Sequence, residues 1–355
     1  MITIILTCRN RSIHIVKNCL QSLRIQSDRS FDVVLVNYGS LPDYTEALNA
    51  LCQEFDFLNL LHCKTQHQLW CKSHAINIAL KTCKTPYVFI GDIDMIYHPN
   101  FIEKLHVLKK ENKSIYFQVG FLSESESKES KAFFDYQVSF KSAKEATGMT
   151  LYPTKALMAI NGYDEFYNGW GSEDTDTHVR FRNASYNVDF YDIELLILHQ
   201  WHPKSYRQKN STAPFHSKLE QINQKYLEYT EQSGKVHANS KYDWGYYNEQ
   251  DYQILENHDM EFTATNELAD IKGLINNVLL NLEGRVVSIL INQHKDYKTL
   301  YHLSKRLLGK KVKTFMSMQQ VNDLILESIV LNCPSSAYTY VFNRHSQEIK
   351  LVIKL

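Results

Sequence analysis

The feature that most constrains this chain is an alternation in its N-terminal third. Apolar, β-branched runs take turns with segments whose apolar residues recur every three or four positions. ITIILT (2–7) stops at Cys8-Arg9-Asn10-Arg11, FDVVLV (31–36) at Asn37-Tyr38-Gly39-Ser40, and Tyr87–Ile90 at Gly91-Asp92-Ile93-Asp94. Between them, Ile13, Val16, Leu20 and Leu23, then Leu48, Leu51 and Phe55, then residues near 73–82 keep helical spacing, and Leu58–His62 reads as a short strand. Continuous apolar runs mark strands covered on both faces. Strands that alternate with helices build βαβ units, so the expected fold class is α/β with a mostly parallel sheet. Ligands of such sheets sit at the carboxyl ends of the strands, where the polar clusters fall.

Further along, a helix is expected after Pro99, with Phe101, Leu105 and Leu108 on one face. Ser114–Phe121 and Phe190–Leu198 read as strands, and Lys155–Ile160 as a short helix stopped by Gly162. SESESKESK (123–131) reads as a solvated loop or helix start, 203–214 as a loop, and 216–231 as a polar helix before a Tyr-rich linker. From about 262 the pattern restarts. Val286–Ile291, Val312–Met316, Ala337–Phe342 and Ile349–Ile353 read as strands, with helices at Tyr297–Leu308 (closed by Gly309) and Val321–Leu331. The expected division is a first domain over 1–260 and a small βαβαββ domain over 261–355, large enough to be separate.

Composition narrows the function. The 355 residues carry 39 Lys+Arg against 39 Asp+Glu. A protein that binds nucleic acid by bulk charge usually has a basic surplus, so none is expected as a partner. The N-terminus lacks the basic and apolar regions of a signal peptide. No apolar run approaches the roughly 20 residues that span a bilayer. The seven cysteines form no C-x-x-C and read as free thiols of a reducing compartment. A cytoplasmic location is expected.

Four clusters carry candidate chemistry. Asp92 and Asp94 flank one residue at the end of an apolar run, where positions i and i+2 share a face. Paired carboxylates suit a hard divalent ion such as Mg²⁺ or Mn²⁺. In Asn168-Gly-Trp-Gly-Ser-Glu-Asp-Thr-Asp176, glycines free Trp170 to lie over a flat ligand. The crowding of Glu173, Asp174 and Asp176 raises a carboxylate pKa toward general-base work. His199 and His202 follow an apolar run and offer imidazoles to a metal. Arg9 and Arg11, beside Thr7 at a helix entrance, suit phosphate, as does Lys72 at another helix start. Taken singly, each also has an ordinary reading: a solvated strand end, an acidic first helical turn, loop histidines, surface cations.

In their order along the chain these clusters resemble the nucleotide-diphospho-sugar glycosyltransferases of the GT-A fold, family two and its relatives, over residues 1 to about 205. The segment 161–176 looks especially like β-1,4-galactosyltransferases and bacterial chondroitin-polymerase-type transferases. The resemblance implies a Rossmann-like sheet and an inverting, divalent-metal-dependent transfer of Gal, GalNAc, Glc or GlcNAc from a UDP-sugar to a hydroxyl of an oligosaccharide or lipid-linked glycan, in bacterial surface polysaccharide synthesis. It implies Asp94 with His199 and His202 as ligands of Mn²⁺ or Mg²⁺, without settling which histidine is the main one, and Asp174 as base with Glu173 beside it. It also implies Thr7, Arg9, Arg11, Asn37, Lys72, Asp92 and Trp170 around the donor. Asn37 and Tyr38 stand where the family often has two acids, and Thr175 where the galactosyltransferases have one. The competing readings are a nucleotidyltransferase making a nucleotide-sugar and a non-catalytic sugar-nucleotide-binding module. Membrane contact is expected only peripherally, through a lipid-linked acceptor or a partner enzyme.

Overall fold

A computed structural model describes residues 1–203 and 214–355, so most of the loop expected at 203–214 lies outside the described residues. The chain divides into two compact units. The first comprises Met1–Cys63, Cys71–Arg207 and Glu220–Tyr247. The second comprises Lys64–Trp70, Gln208–Leu219 and Asn248–Leu355.

The first unit is built on strands β1 (Ile2–Cys8), β2 (Phe31–Tyr38), β3 (Leu58–Cys63) and β4 (Tyr87–Asp92), with helices α1 (Ile13–Arg24), α2 (Pro42–Cys52) and α3 (Lys72–Thr82) as crossovers. All seven residues of β1 are buried, as a strand covered on both faces requires. β5 (Met95–Tyr97), α4 (Phe101–Leu108), β6 (Lys113–Phe117), β7 (Val119–Leu122), α5 (Glu124–Ser127), β8 (Val138–Lys141), β9 (Thr150–Pro153), α6 (Thr154–Ala159), α7 (Glu173–Asn183), β10 (Asn187–Tyr191), β11 (Ile197–His199) and α8 (Leu219–Ser233) follow. The central sheet has the order β10-β6-β9-β4-β1-β2-β3. Its pairs are parallel except that β9 runs antiparallel between β4 and β6. This is the expected GT-A-like, Rossmann-type arrangement.

A second sheet, β5-β11-β7-β8, lies beyond the end of β4. Two expected strands are each two strands in different sheets. Ser114–Phe121 divides at Gln118, whose N–H bonds the Tyr191 carbonyl while Val119 N–H turns to the Ser142 hydroxyl. Phe190–Leu198 divides around Ile193, which is 86% exposed between Asp192 and Glu194. An apolar run does not reveal a hinge inside it. Ser123–Lys131 opens with the short helix α5, whose first turn the Ser123 hydroxyl caps.

The second unit contains α9 (Glu249–Gln253), β12 (Met260–Thr265), α10 (Leu268–Leu274), β13 (Val286–Asn292), α11 (Leu300–Leu307), α12 (Met318–Asn332), β14 (Tyr338–Asn343) and β15 (Glu348–Lys354). Its sheet order is β12-β13-β15-β14, parallel only between β12 and β13. The expected strand Val312–Met316 is not one. Phe315 makes an isolated bridge to Glu267, and β12 supplies the fourth strand instead. No disulfide forms among the described residues, and Cys83 alone of the seven thiols is not buried. No described helix is long and apolar enough to cross a membrane.

Candidate active site

The second sheet assembles the first half of the site. β4 ends at Asp92, and the chain turns through Ile93 and Asp94 into β5. β11 pairs antiparallel with β5, setting His199 opposite Met95, and Gln200 N–H then bonds the Asp94 carbonyl at 2.9 Å. This pairing brings residues from distant parts of the chain onto one carboxylate. His202 Nε2 lies 3.1 Å from Asp94 Oδ2, His199 Nε2 lies 3.9 Å from Oδ1, and Arg11 reaches Oδ2 at 3.3 Å. Burial pushes the Asp94 pKa upward, but His199, the His202 hydrogen bond and Arg11 together prevail and hold the carboxyl well below the usual carboxylate range.

Ligand atoms of Asp94, His199 and His202 lie within 4.8 Å of one another. Asp94 Oδ1 and His199 Nδ1 are buried without hydrogen-bond partners. Native folds rarely leave buried polar atoms unpaired, so the orphaned atoms fit a bound cation. One carboxylate and two imidazoles form a mixed oxygen and nitrogen donor set suited to a divalent ion. The residues present therefore fit the metal that the sequence resemblance implies.

The second half centres on Lys72, the first residue of α3. Cys71 caps this helix, its sulfur accepting the His74 N–H. Lys72 Nζ lies 3.0 Å from Asp92, 3.1 Å from Asp174 and 3.7 Å from Glu173. Burial opposes its charge, but the three carboxylates outweigh burial and keep the ammonium charged well above the usual lysine range. Glu173 is pushed up to about 7, first by burial and then by the Asp174 charge, against the pull of Lys72. Asp174 Oδ1 is buried and unpartnered. The strand-end pair is thus divided in use: Asp94 faces the histidines and Asp92 faces Lys72.

The acidic turn is held by groups that the sequence pattern alone does not flag. Asn77, fully buried on α3, donates to the Tyr163 carbonyl and to Glu165 Oε1, and accepts the Tyr163 N–H. Arg180 pairs with Asp176 at 2.7 Å with both side chains fully buried, and donates to the carbonyls of Ile160 and Gly162. Their only sequence signal is polar residues at helical spacing, which also describes an exposed face. Gly169 (φ 78°), Gly171 (φ 100°) and Ser172 (φ 76°) place the backbone before α7 in the left-handed region. Glycine takes this conformation at little cost, whereas Ser172 is held there against its preference. Trp170 between the glycines is 55% exposed.

The remaining expected residues lie at the same carboxyl end of the sheet. Thr7 pairs in register with Asp92 and Val36, and Cys8 with Asn37. Arg9 Nε donates to the Tyr38 carbonyl at 2.6 Å, and its guanidinium lies 5.4 Å from the Tyr38 ring centre. Asn37 is buried and donates toward Thr45 and His62, leaving its Oδ1 without a partner.

Two family models match the chain: Glycosyl transferase family 2 over residues 3–154, and the N-terminal domain of galactosyltransferase over 128–202. No match was found among the curated proteins. Similar solved structures include the mannosyltransferase PcManGT from Pyrobaculum calidifontis in complex with GDP-Man and Mn²⁺ (17% identity, 58% of each chain, TM-score 0.42). Others are S. aureus TarS 1–349 in complex with UDP (12% identity, 93% of this chain and 89% of that one, TM-score 0.47) and GalNAc-T7 with UDP, GalNAc and Mn²⁺ (11%, 65% and 48%, TM-score 0.48). The chain thus spans 58% of the mannosyltransferase and about half of GalNAc-T7. The family matches and the Asp94 cluster together support glycosyltransferase-type enzymatic activity of the GT-A, family-2-like kind.

Proposed function

We propose that this chain is an inverting glycosyltransferase that moves a hexosyl group from a UDP-sugar to a hydroxyl of a glycan acceptor. One observation carries the reading: Lys72 joins Asp92, on the side of the Asp94–His199–His202 cluster, to Asp174 at the start of α7. A cation site and a candidate base then stand at one strand end, linked through one ammonium. The two family matches cover the segments that contain these parts.

Asp94, His199 and His202 would hold the divalent ion, for which Mn²⁺ suits two imidazoles better than Mg²⁺ does. Such an ion, when bound, neutralises charge that develops on a departing diphosphate. Arg9 and Arg11 extend the cationic surface on which a nucleotide diphosphate would lie, with Thr7 and Asn37 beside them. Asp174 takes the proton of the acceptor hydroxyl as its oxygen attacks the anomeric carbon. The new C–O bond forms as the bond to the diphosphate breaks, and UDP departs. Lys72, 3.1 Å from Asp174 Oδ2, holds that carboxylate in place for the role. Glu173 and Trp170 orient the sugar and the acceptor.

The test is a panel of UDP-sugars incubated with Mn²⁺ and a mixed glycan acceptor, with UDP release as the readout. Release and transfer are expected with one hexose, and Asp174→Asn is expected to lower turnover at least about a hundredfold with UDP affinity little changed. Pyrophosphate release from a nucleoside triphosphate would instead identify a nucleotidyltransferase. Binding without turnover would identify a non-catalytic module.

A further inference from the structure

In the second unit, α11 reverses the usual orientation of a surface helix. The side turned to the unit carries His302, whose Nε2 lies 2.9 Å from the Lys313 carbonyl and whose ring centre lies 5.0 Å from that of Phe315. The opposite side carries Leu300, Leu303 and Leu307 at helical spacing, exposed by 85%, 45% and 88%. Leu308 follows at 71%, and no residue of the helix is buried. Leucines directed outward along a whole face differ from the single exposed apolar residues common on protein surfaces.

The helix is closed at both ends. The Thr299 hydroxyl accepts the His302 N–H at the start. At the far end Gly309, with φ +65°, allows Gly309 N–H and Lys310 N–H to return to the Arg306 and Lys305 carbonyls. The leucines are therefore presented by a finished helix rather than by a frayed one.

Charge then selects the occupant. Between Tyr297 and Asn322 the chain has six lysines and arginines and no Asp or Glu, although the whole chain balances 39 against 39. Lys305 and Arg306 flank the leucine face, Lys298 precedes it, and Lys310 and Lys311 follow. None of these five forms a salt bridge among the described residues. A second copy of so cationic a face would repel the first. An apolar stripe bordered by long cationic side chains matches an anionic lipid surface, with leucines at the acyl boundary and cations at the phosphates.

We propose that α11 and the basic segment after it dock this protein peripherally on an anionic bilayer. This goes beyond the catalytic reading, because it rests on no residue of that site. The full chain would be sedimented with vesicles of phosphatidylcholine alone and of phosphatidylcholine mixed with phosphatidylglycerol, without sugar nucleotide. Retention is expected on the mixed vesicles, weakening as salt is raised. It should fall at least about tenfold for Leu300→Asp/Leu307→Asp and for Lys310→Glu/Lys311→Glu. Leu300→Ser/Leu307→Ser, checked by thermal melting against the parent, replaces the aspartates if they unfold the unit. The proposal is overturned if the parent fails to bind mixed vesicles, or if the folded leucine variant binds equally well. A solution dimer abolished by the leucine variant would also overturn it.

Discussion

At the scale of single residues, two carboxylates carry the sharpest consequences. Asp94 Oδ1 is an acceptor shut away from water and without a hydrogen-bond donor. Leaving such a group unpaired costs roughly 1–3 kcal/mol, which a cation relieves. A ligand present at 100 times its Kd stabilises the folded state by about 2.7 kcal/mol. Mn²⁺ should therefore raise the melting temperature of the parent, and Asp94→Asn should remove most of that rise. An equal rise in both proteins would show that Asp94 is not a ligand. Glu173 makes a separate prediction about pH. In the folded chain it holds its proton up to about pH 7, whereas in the unfolded chain it releases it in the ordinary carboxylate range near 4.5. Between these values the folded state binds more protons, so stability from this group falls as pH rises, by at most about 1.4 kcal/mol per pH unit. The loss is complete above about 7. Denaturant melts of the parent and Glu173→Gln should diverge across that window and run parallel above it. Parallel curves throughout would assign Glu173 an ordinary pKa. The Asp92–Asp94 pair was legible from its spacing. Its division between Lys72 and the histidines was not, because β4 ends at Asp92 and strand alternation no longer places Asp94.

At the scale of elements, α7 shows how a buried charge can hold the turn that bears the proposed base. Its first turn bears Glu173, Asp174 and Asp176, and Arg180 one turn further on pairs with Asp176 in the interior. Removing one partner of a buried ion pair strands the other, at a cost of about 3–5 kcal/mol. Asp176→Ala should lower the denaturation midpoint of the first unit accordingly, and also turnover by displacing Asp174. A change within about 0.5 kcal/mol would mean that the carbonyls of Ile160 and Gly162 satisfy Arg180 unaided. Periodicity made β1, β2, β4 and the helices between them legible, because burial on both faces leaves an uninterrupted apolar run. The antiparallel β9 was missed, since Thr150–Pro153 is four residues long and ends in proline. β5 and β11 are only three residues each, yet they close the Asp94 cluster. Strands that short leave no period to read.

At the scale of the whole molecule, the two units are not two consecutive stretches of chain. After β3 the chain leaves the first unit for Lys64–Trp70, which belongs to the second, and returns at Cys71, the cap of the helix that begins with Lys72. Composition gave no warning of this, because a seven-residue excursion has no periodicity and its partners lie near the C-terminus. Within the second unit Gln68 donates to the Tyr338 carbonyl, Leu69 N–H donates to the Tyr338 hydroxyl at 2.9 Å, and Tyr340 N–H donates to the His67 carbonyl. Leu69 is 3% exposed and Tyr338 7%, so neither polar group has water as a ready substitute. Tyr338→Phe keeps the ring and deletes the acceptor of the Leu69 N–H, which should cost about 1–3 kcal/mol. Amide exchange at Leu69 should accelerate roughly tenfold or more, while exchange in the buried strand β1 stays at the parental rate. Equal acceleration in both would mean that the substitution loosens the molecule as a whole. Acceleration at Leu69 alone would assign this hydrogen bond a local role within the second unit.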